Sequence, residues 1–220
     1  MKCSRCGEEI ERLVHFCPWC GMFCGDQKSI PFENVNLTFL RADLSGFTEM
    51  SETMIAEDVM AFLNEVFSFF SKIIERNKGI IYQIIGDEIV SIFGLQKGST
   101  FAPHMAIFAA EEMFHKLFEC NKKEYLKNPI GLKIGIETEY ASIFDVRESV
   151  QSSLHNAMII TLGFKKSQIL QKNAENNTIL VGECLYQATK AFFDYREVGE
   201  FLEHDLSVKA YEYKLKLNTS

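Results

Sequence analysis

Between Ala56 and Phe93 the apolar period switches from helical to extended at Gly79, and this switch constrains the fold more than any other feature. Val59, Leu63, Val66, Phe67, Phe70, Ile73 and Ile74 keep the i, i+4, i+7, i+8, i+11 spacing of one helix face across Ala56–Lys78. Met60, Phe62 and Phe69 widen that stripe beyond what one sheet covers. Two explanations stand: a well-packed core helix, or a helix that also meets a second subunit. Gly79–Ile85 and Glu88–Phe93 then read as two apolar strands parted by Gly86-Asp87, a hairpin signal.

The flanking segments continue a mixed pattern. Leu37–Ala42 is a short buried strand ended by Asp43-Leu44-Ser45-Gly46. Phe101–Asn121 is a second amphipathic helix with Pro103 in its first turn. Gly131–Thr138 is a strand, and no element is legible from there until the helix Phe164–Ala174. Thr178–Val181 is a strand, Glu183–Ala191 a short helix, and Phe192–Val198 with Val208–Leu215 a closing hairpin. The order strand–helix–strand–strand–helix–strand predicts an α/β (α+β) domain of ferredoxin-like or palm type over residues 36–217.

Ahead of it stand two matched Cys-x-x-Cys-Gly knuckles, Cys3/Cys6 and Cys17/Cys20, with ten residues between the pairs. A Cys-x2-Cys turn sets two sulfurs on one side of a tight knuckle, and two knuckles complete a tetrahedral thiolate site for one structural Zn²⁺. The competing reading is a disulfide or redox-active pair, and Cys24 is an alternative fourth ligand. Cys120 and Cys184 read as ordinary thiols. Residues 1–24 are therefore expected to form a small ribbon, and polar residues 25–35 a linker.

Composition narrows the partners. At 220 residues, 47% hydrophobic and 24% charged, the chain can bury a full core and is not disordered. Net charge −7 argues against broad binding to a phosphate backbone. Lys28, Lys72, Arg76, Lys78, Lys122 and Lys123 are scattered as on a solvated surface, so nucleic acid is not an expected partner. The longest charge-free stretch, Ser149–Phe164, is too short and polar to span a bilayer, and charges at Lys2, Arg5 and Glu8 interrupt any signal-peptide core. No membrane association and a cytoplasmic location are expected.

Asp43 closes a core strand and Asp87 sits on a hairpin turn. In a palm fold those points lie side by side, where paired carboxylates hold two Mg²⁺ or Mn²⁺ ions roughly 3.5–4 Å apart for in-line attack at phosphorus. Backbone N–H groups of Leu44, Ser45, Gly46, Phe47 and Thr48, at the start of the next helix, favour a triphosphate. The bland alternatives are an ordinary turn Asp and Ser or Thr helix caps.

The stretches LTFLRADLSGFTEMSE and GIIYQIIGDEIVSIFG together resemble the class III adenylate/guanylate cyclase catalytic domain, as do NTILVGECLY and FFDYREVG with SVKAYEY further on. An N-terminal zinc ribbon before such a domain is a familiar bacterial layout. The resemblance implies Asp43 and Asp87 as catalytic metal ligands, residues 44–48 as nucleotide contacts, and a site shared between two subunits of a homodimer or heterodimer. It also implies that Gln83, three before the hairpin glycine, reads the base. Gly86-Asp87-Glu88 also resembles GGDEF-type dinucleotide cyclases, but the sequence after Asp43 runs to Gly-Phe-Thr without their Phe-Lys…Asn-Asp pattern, and the C-terminal half follows class III order.

Other positions depart from the family. Its transition-state Asn and Arg lie four residues apart in one helix. Counting back from Ile179-Leu180-Val181 puts Lys165 and Ile169 there, whereas counting from Gly163 puts Ser167 and Gln171. A phosphate-contacting Lys falls near Leu202-Glu203-His204, where Glu203 has the opposite sign, and GIETEYASIF lacks a usual second glycine. Three functions follow: a nucleotidyl cyclase contributing the metal-donating half of a dimeric site; an inert pseudo-cyclase that senses nucleotide or dimerises; and an interaction protein whose zinc ribbon touches nucleic acid while the larger domain is a scaffold.

Overall fold

The structure, a computed structural model, describes residues 2–3, 5–9, 19–20, 32–95, 101–122, 129–145 and 157–215. Its elements are β1 (Phe32–Ser45), α1 (Phe47–Thr53), α2 (Ala56–Arg76), β2 (Gly79–Ile85), β3 (Glu88–Phe93), α3 (Ala102–Cys120) and β4 (Gly131–Asp145). There follow β5 (Ala157–Ile160), α4 (Gly163–Asn173), β6 (Thr178–Gly182), α5 (Glu183–Thr189), β7 (Tyr195–Glu203) and β8 (Leu206–Tyr213). The strands form one sheet in the order β2-β3-β1-β4-β6-β8-β7, with β5 paired to β4. Neighbours are antiparallel except β4 and β6, which run parallel. The expected palm arrangement is present.

Alternation along each strand divides the sheet into two faces. Leu40, Ala42, Leu44, Ile89, Leu132, Ile134, Ile136, Ile179 and Val181 point into the main core beneath α2 and α3. Phe39 and Ile92 point the other way, toward Phe164 at the start of α4. Ile169 and Leu170 of α4 pack there on Leu180, Val208 and Ala210. Helix α4 lies very close to the sheet because β4 carries Gly135, where a Cβ would stand 2.3 Å from the Gln171 nitrogen and the Ser167 carbonyl oxygen.

The structure revises two sequence expectations. Strand β1 begins at Phe32, inside the segment read as linker, because Phe32–Asn36 pair with Phe144–Tyr140 of a β4 that continues past Thr138 to Asp145. Isolated polar residues gave no alternation to read there; the cross-strand partner supplies it. The wide stripe of α2 is absorbed within the domain. Phe62 is fully buried and Phe69 lies beneath the Lys116 ammonium of α3, 4.7 Å from its ring centre. Met60 alone of the three extra residues stays well exposed. Most of the stripe is therefore core, with Met60 left at the surface.

Candidate active site

Asp43 and Asp87 meet at one end of the sheet because β1 and β3 are antiparallel neighbours and Asp43 pairs in register with Glu88. The turn between β2 and β3 is Gly86-Asp87, and Gly86 adopts φ 59, a conformation glycine enters without steric cost. The backbone N–H of Leu44 donates to the Asp87 carbonyl oxygen at 3.3 Å, tying the strand end to the turn.

The electrostatics follow. Burial, then the negative charges of Asp87 and Glu88, push the Asp43 carboxyl up to about 6. Lys133, its register partner on β4, and a hydrogen bond with the Gln171 side chain of α4 act in the opposite direction. A divalent cation held by Asp43 and Asp87 would relieve the same repulsion, and carboxylate oxygens are the donors that Mg²⁺ and Mn²⁺ prefer. The residues fit such ions.

The segment after Asp43 differs in detail from the expectation that all five of its N–H groups face a ligand. Leu44 is still strand, its side chain buried in the main core and its N–H spent on Asp87. Ser45 ends β1 with a buried Oγ that has no hydrogen-bond partner. Gly46 stands at the helix N-cap, with no side-chain cap bond, so neither Ser45 nor Thr48 caps α1. Phe47 packs against the main core and Thr48 is exposed. Gln83 is exposed on β2, where its register partner Val90 also pairs with Arg41.

On the α4 side, both alignment frames can be placed. Lys165 pairs with Glu203 of β7, and Lys166 with Glu139 of β4. Ile169 is 1% exposed, Ser167 fully buried and Gln171 6% exposed. The first frame thus yields an ion-paired lysine and a core isoleucine, the second two buried polar residues against β4. Neither presents an Asn or Arg at the surface.

Sequence reasoning missed Arg41, Glu88 and Lys133. Arg41 Nη1 donates to both Glu88 carboxylate oxygens at 2.9 and 3.0 Å, beside Asp43. Period-two alternation could have put Arg41 and Asp43 on one face, but only strand pairing brings Glu88 and Lys133 to them.

In the N-terminal module, the Cys3, Cys6 and Cys20 sulfurs lie within 4.8 Å of one another, and Cys3 and Cys20 approach to 3.6 Å. Three sulfurs each about 2.3 Å from a tetrahedral zinc would lie about 3.8 Å apart, so the spacing fits that ion. The cluster can hold a metal. Among the described residues no disulfide joins these cysteines; Cys17 and Cys24 lie outside the described residues. Hydrogen bonds from the Cys6 and Arg5 backbones lead in lowering the Cys3 thiol to about 6, toward the thiolate that binds metal.

Fold and site together define a palm-type domain with paired carboxylates at one strand end. The family model for the adenylate and guanylate cyclase catalytic domain matches residues 28–146, more than half of the chain. The chain belongs to that family. An adenylate cyclase of Anabaena cylindrica is 37% identical over 57 residues, which are 26% of this chain and only 11% of that relative. Among solved structures, the adenylyl cyclase CyaB from P. aeruginosa superposes with a TM-score of 0.73 at 21% identity, covering 86% of this chain and 98% of that one. The catalytic core of a rhodopsin-guanylyl cyclase with converted specificity, in complex with ATPαS, gives 0.71 at 16% identity, covering 84% and 99%. Identities this low establish shared fold. Among the described residues no helix is long and apolar enough to cross a membrane.

Proposed function

We propose that this chain binds a nucleoside triphosphate through two Mg²⁺ or Mn²⁺ ions at Asp43 and Asp87, as the metal-donating half of a two-chain nucleotidyl cyclase site. The product would be a 3′,5′-cyclic nucleotide, with release of pyrophosphate. One observation carries this reading: Asp43 and Asp87 share one end of the sheet, each in the other's field, while α4 offers ion-paired lysines and a buried isoleucine. Bound metal would neutralise phosphate charge and polarise the reacting oxygens.

The chain's own residues position and orient. The Leu44 amide holds the two carboxylate-bearing segments together. Gly46 turns the chain from β1 into α1, where Thr48 is exposed, and exposed Gln83 offers an amide to the base. Among the described residues α4 presents no Asn or Arg at the two family positions, and an arginine finger facing the developing charge is worth about 10³–10⁵ in rate where it acts. A complementary cyclase-like chain supplies it. In the same molecule Cys3, Cys6, Cys17 and Cys20 hold a structural Zn²⁺ in a ribbon of residues 1–24, separate from the cyclase domain.

The test combines calorimetry with product analysis. ATP, GTP, CTP and UTP are each titrated with Mn²⁺, and cyclic product is read by mass spectrometry, alone and with candidate partner chains. Metal-dependent binding that collapses in Asp43→Ala, with little turnover until a partner is added, is the expected result. An ordinary cyclase rate from the chain alone overturns the half-site, and no triphosphate binding at all overturns the metal reading. The Lys165–Glu203 pair favours a second reading, a nucleotide-sensing pseudo-cyclase, for which binding without product in any combination would decide.

A further inference from the structure

The ion pair beside the metal carboxylates is unexplained by packing alone. Arg41 and Glu88 have side chains only 12% and 17% exposed, so their charges are poorly screened. Glu88 shares its sheet face with Asp43, its register partner, and its charge acts on the Asp43 carboxyl alongside that of Asp87. The end of β1 thus gathers three carboxylates. Arg41 Nη1 grips both Glu88 oxygens, while its Nε is buried with no partner, so part of its donor set is uncommitted. A half-buried ion pair is weak as a stabilising device, since apolar residues of equal volume serve as well or better. Its placement has a stronger consequence for ions that enter the site.

Resting on the metal reading of Asp43 and Asp87, we infer that Glu88 is a third metal-side carboxylate whose charge Arg41 offsets, so that the Arg41–Glu88 pair sets the site's affinity for divalent cations. With Arg41 in place, both Glu88 oxygens are occupied and part of its charge is offset, although the remainder still reaches Asp43. Without it, Glu88 adds a full negative charge and a free carboxylate to the same end of the sheet.

Mn²⁺ binding to the full chain, followed by electron paramagnetic resonance, tests this through a double-mutant cycle. Arg41→Met should bind Mn²⁺ about tenfold tighter, because an uncompensated charge at short range in a partly buried site acts strongly on a divalent ion. Glu88→Gln should bind it more weakly, since Arg41 is then the uncompensated charge. The double variant, having lost one charge of each sign, should return to within about threefold of wild type, as opposite effects from one interaction cancel. Should Arg41→Met fail to fold, Glu88→Gln decides alone. Unchanged or weaker binding in Arg41→Met, or unchanged binding in Glu88→Gln, overturns the inference. Asp43→Asn separates the two levels: if it leaves Mn²⁺ binding intact, the metal reading itself is wrong. If it abolishes binding while the Arg41 and Glu88 variants stay silent, only the role of the pair is.

Discussion

Leu44 donates its backbone N–H to the carbonyl oxygen of Asp87 at 3.3 Å, so the two candidate metal ligands are brought together by main chain and not by their own side chains. The carboxylates repel each other within a frame that does not depend on them. Changing either should therefore spare the fold.

Asp43→Asn and Asp87→Asn should each abolish Mn²⁺-dependent triphosphate binding without lowering the melting temperature of the apo protein. Calorimetry and thermal melts read the two quantities separately. A large drop in melting temperature would mean that the pair is structural.

Metal binding should weaken at unusually high pH for a carboxylate site. Asp43 titrates at about 6, so protons compete with Mn²⁺ as pH falls from 7 to 5, where an ordinary aspartate would still be ionised. The sign for apo stability is opposite to that of a salt-bridged acid: a carboxyl raised in the folded state favours folding at low pH and loses that contribution as pH rises through 6. Mn²⁺ titrations at a series of pH values check the first expectation, and apo melts of wild type against Asp43→Asn the second.

Glu137 on β4 is 2% exposed, accepts the Thr138 and Leu185 amides at 2.8 and 3.4 Å, and is pushed by burial up to about 7. Its ionisation opposes folding above that pH. Glu137→Gln, which keeps an acceptor oxygen, should stabilise the protein at pH 8.5 by up to roughly 3 kcal/mol and have little effect at pH 4.5. Urea denaturation at the two pH values measures it; equal effects at both would remove the titration as cause.

Gly135→Ala should destabilise by about 2 kcal/mol or more, since the added carbon meets helix backbone that cannot yield without moving α4. Ile169→Arg should also cost several kcal/mol, because it buries a guanidinium among Leu180, Val208 and Ala210. Denaturant titration checks both. If Ile169→Arg is tolerated and raises turnover together with Lys165→Asn, the frame through 165 and 169 faces a partner after all.

Purified protein should carry close to one zinc per chain, lost in the Cys3→Ser, Cys6→Ser double variant, with chelation unfolding the ribbon while the larger domain survives. Metal analysis and melts report each. Protein that never carries zinc, and is indifferent to chelator, would reject the ribbon site.

Much of this molecule was written in local pattern. The switch at Gly79, the Gly86-Asp87 turn and the apolar face of α2 fix β2, β3 and their helix, because period and turn chemistry are properties of neighbours in sequence. The knuckle spacing likewise marks Cys3, Cys6 and Cys20 as a cluster. Tertiary pairing decided what no local pattern encodes. Phe32–Asn36 became strand because β4 runs alongside, and the Lys116 ammonium of α3 stands over the Phe69 ring. The same holds at the site: Asp43 and Asp87 could be named from the chain, but Arg41–Glu88, Lys133 beside Asp43 and Lys165–Glu203 join residues from separate strands and helices. Charge interactions act across space, so their partners exist only once the sheet has closed.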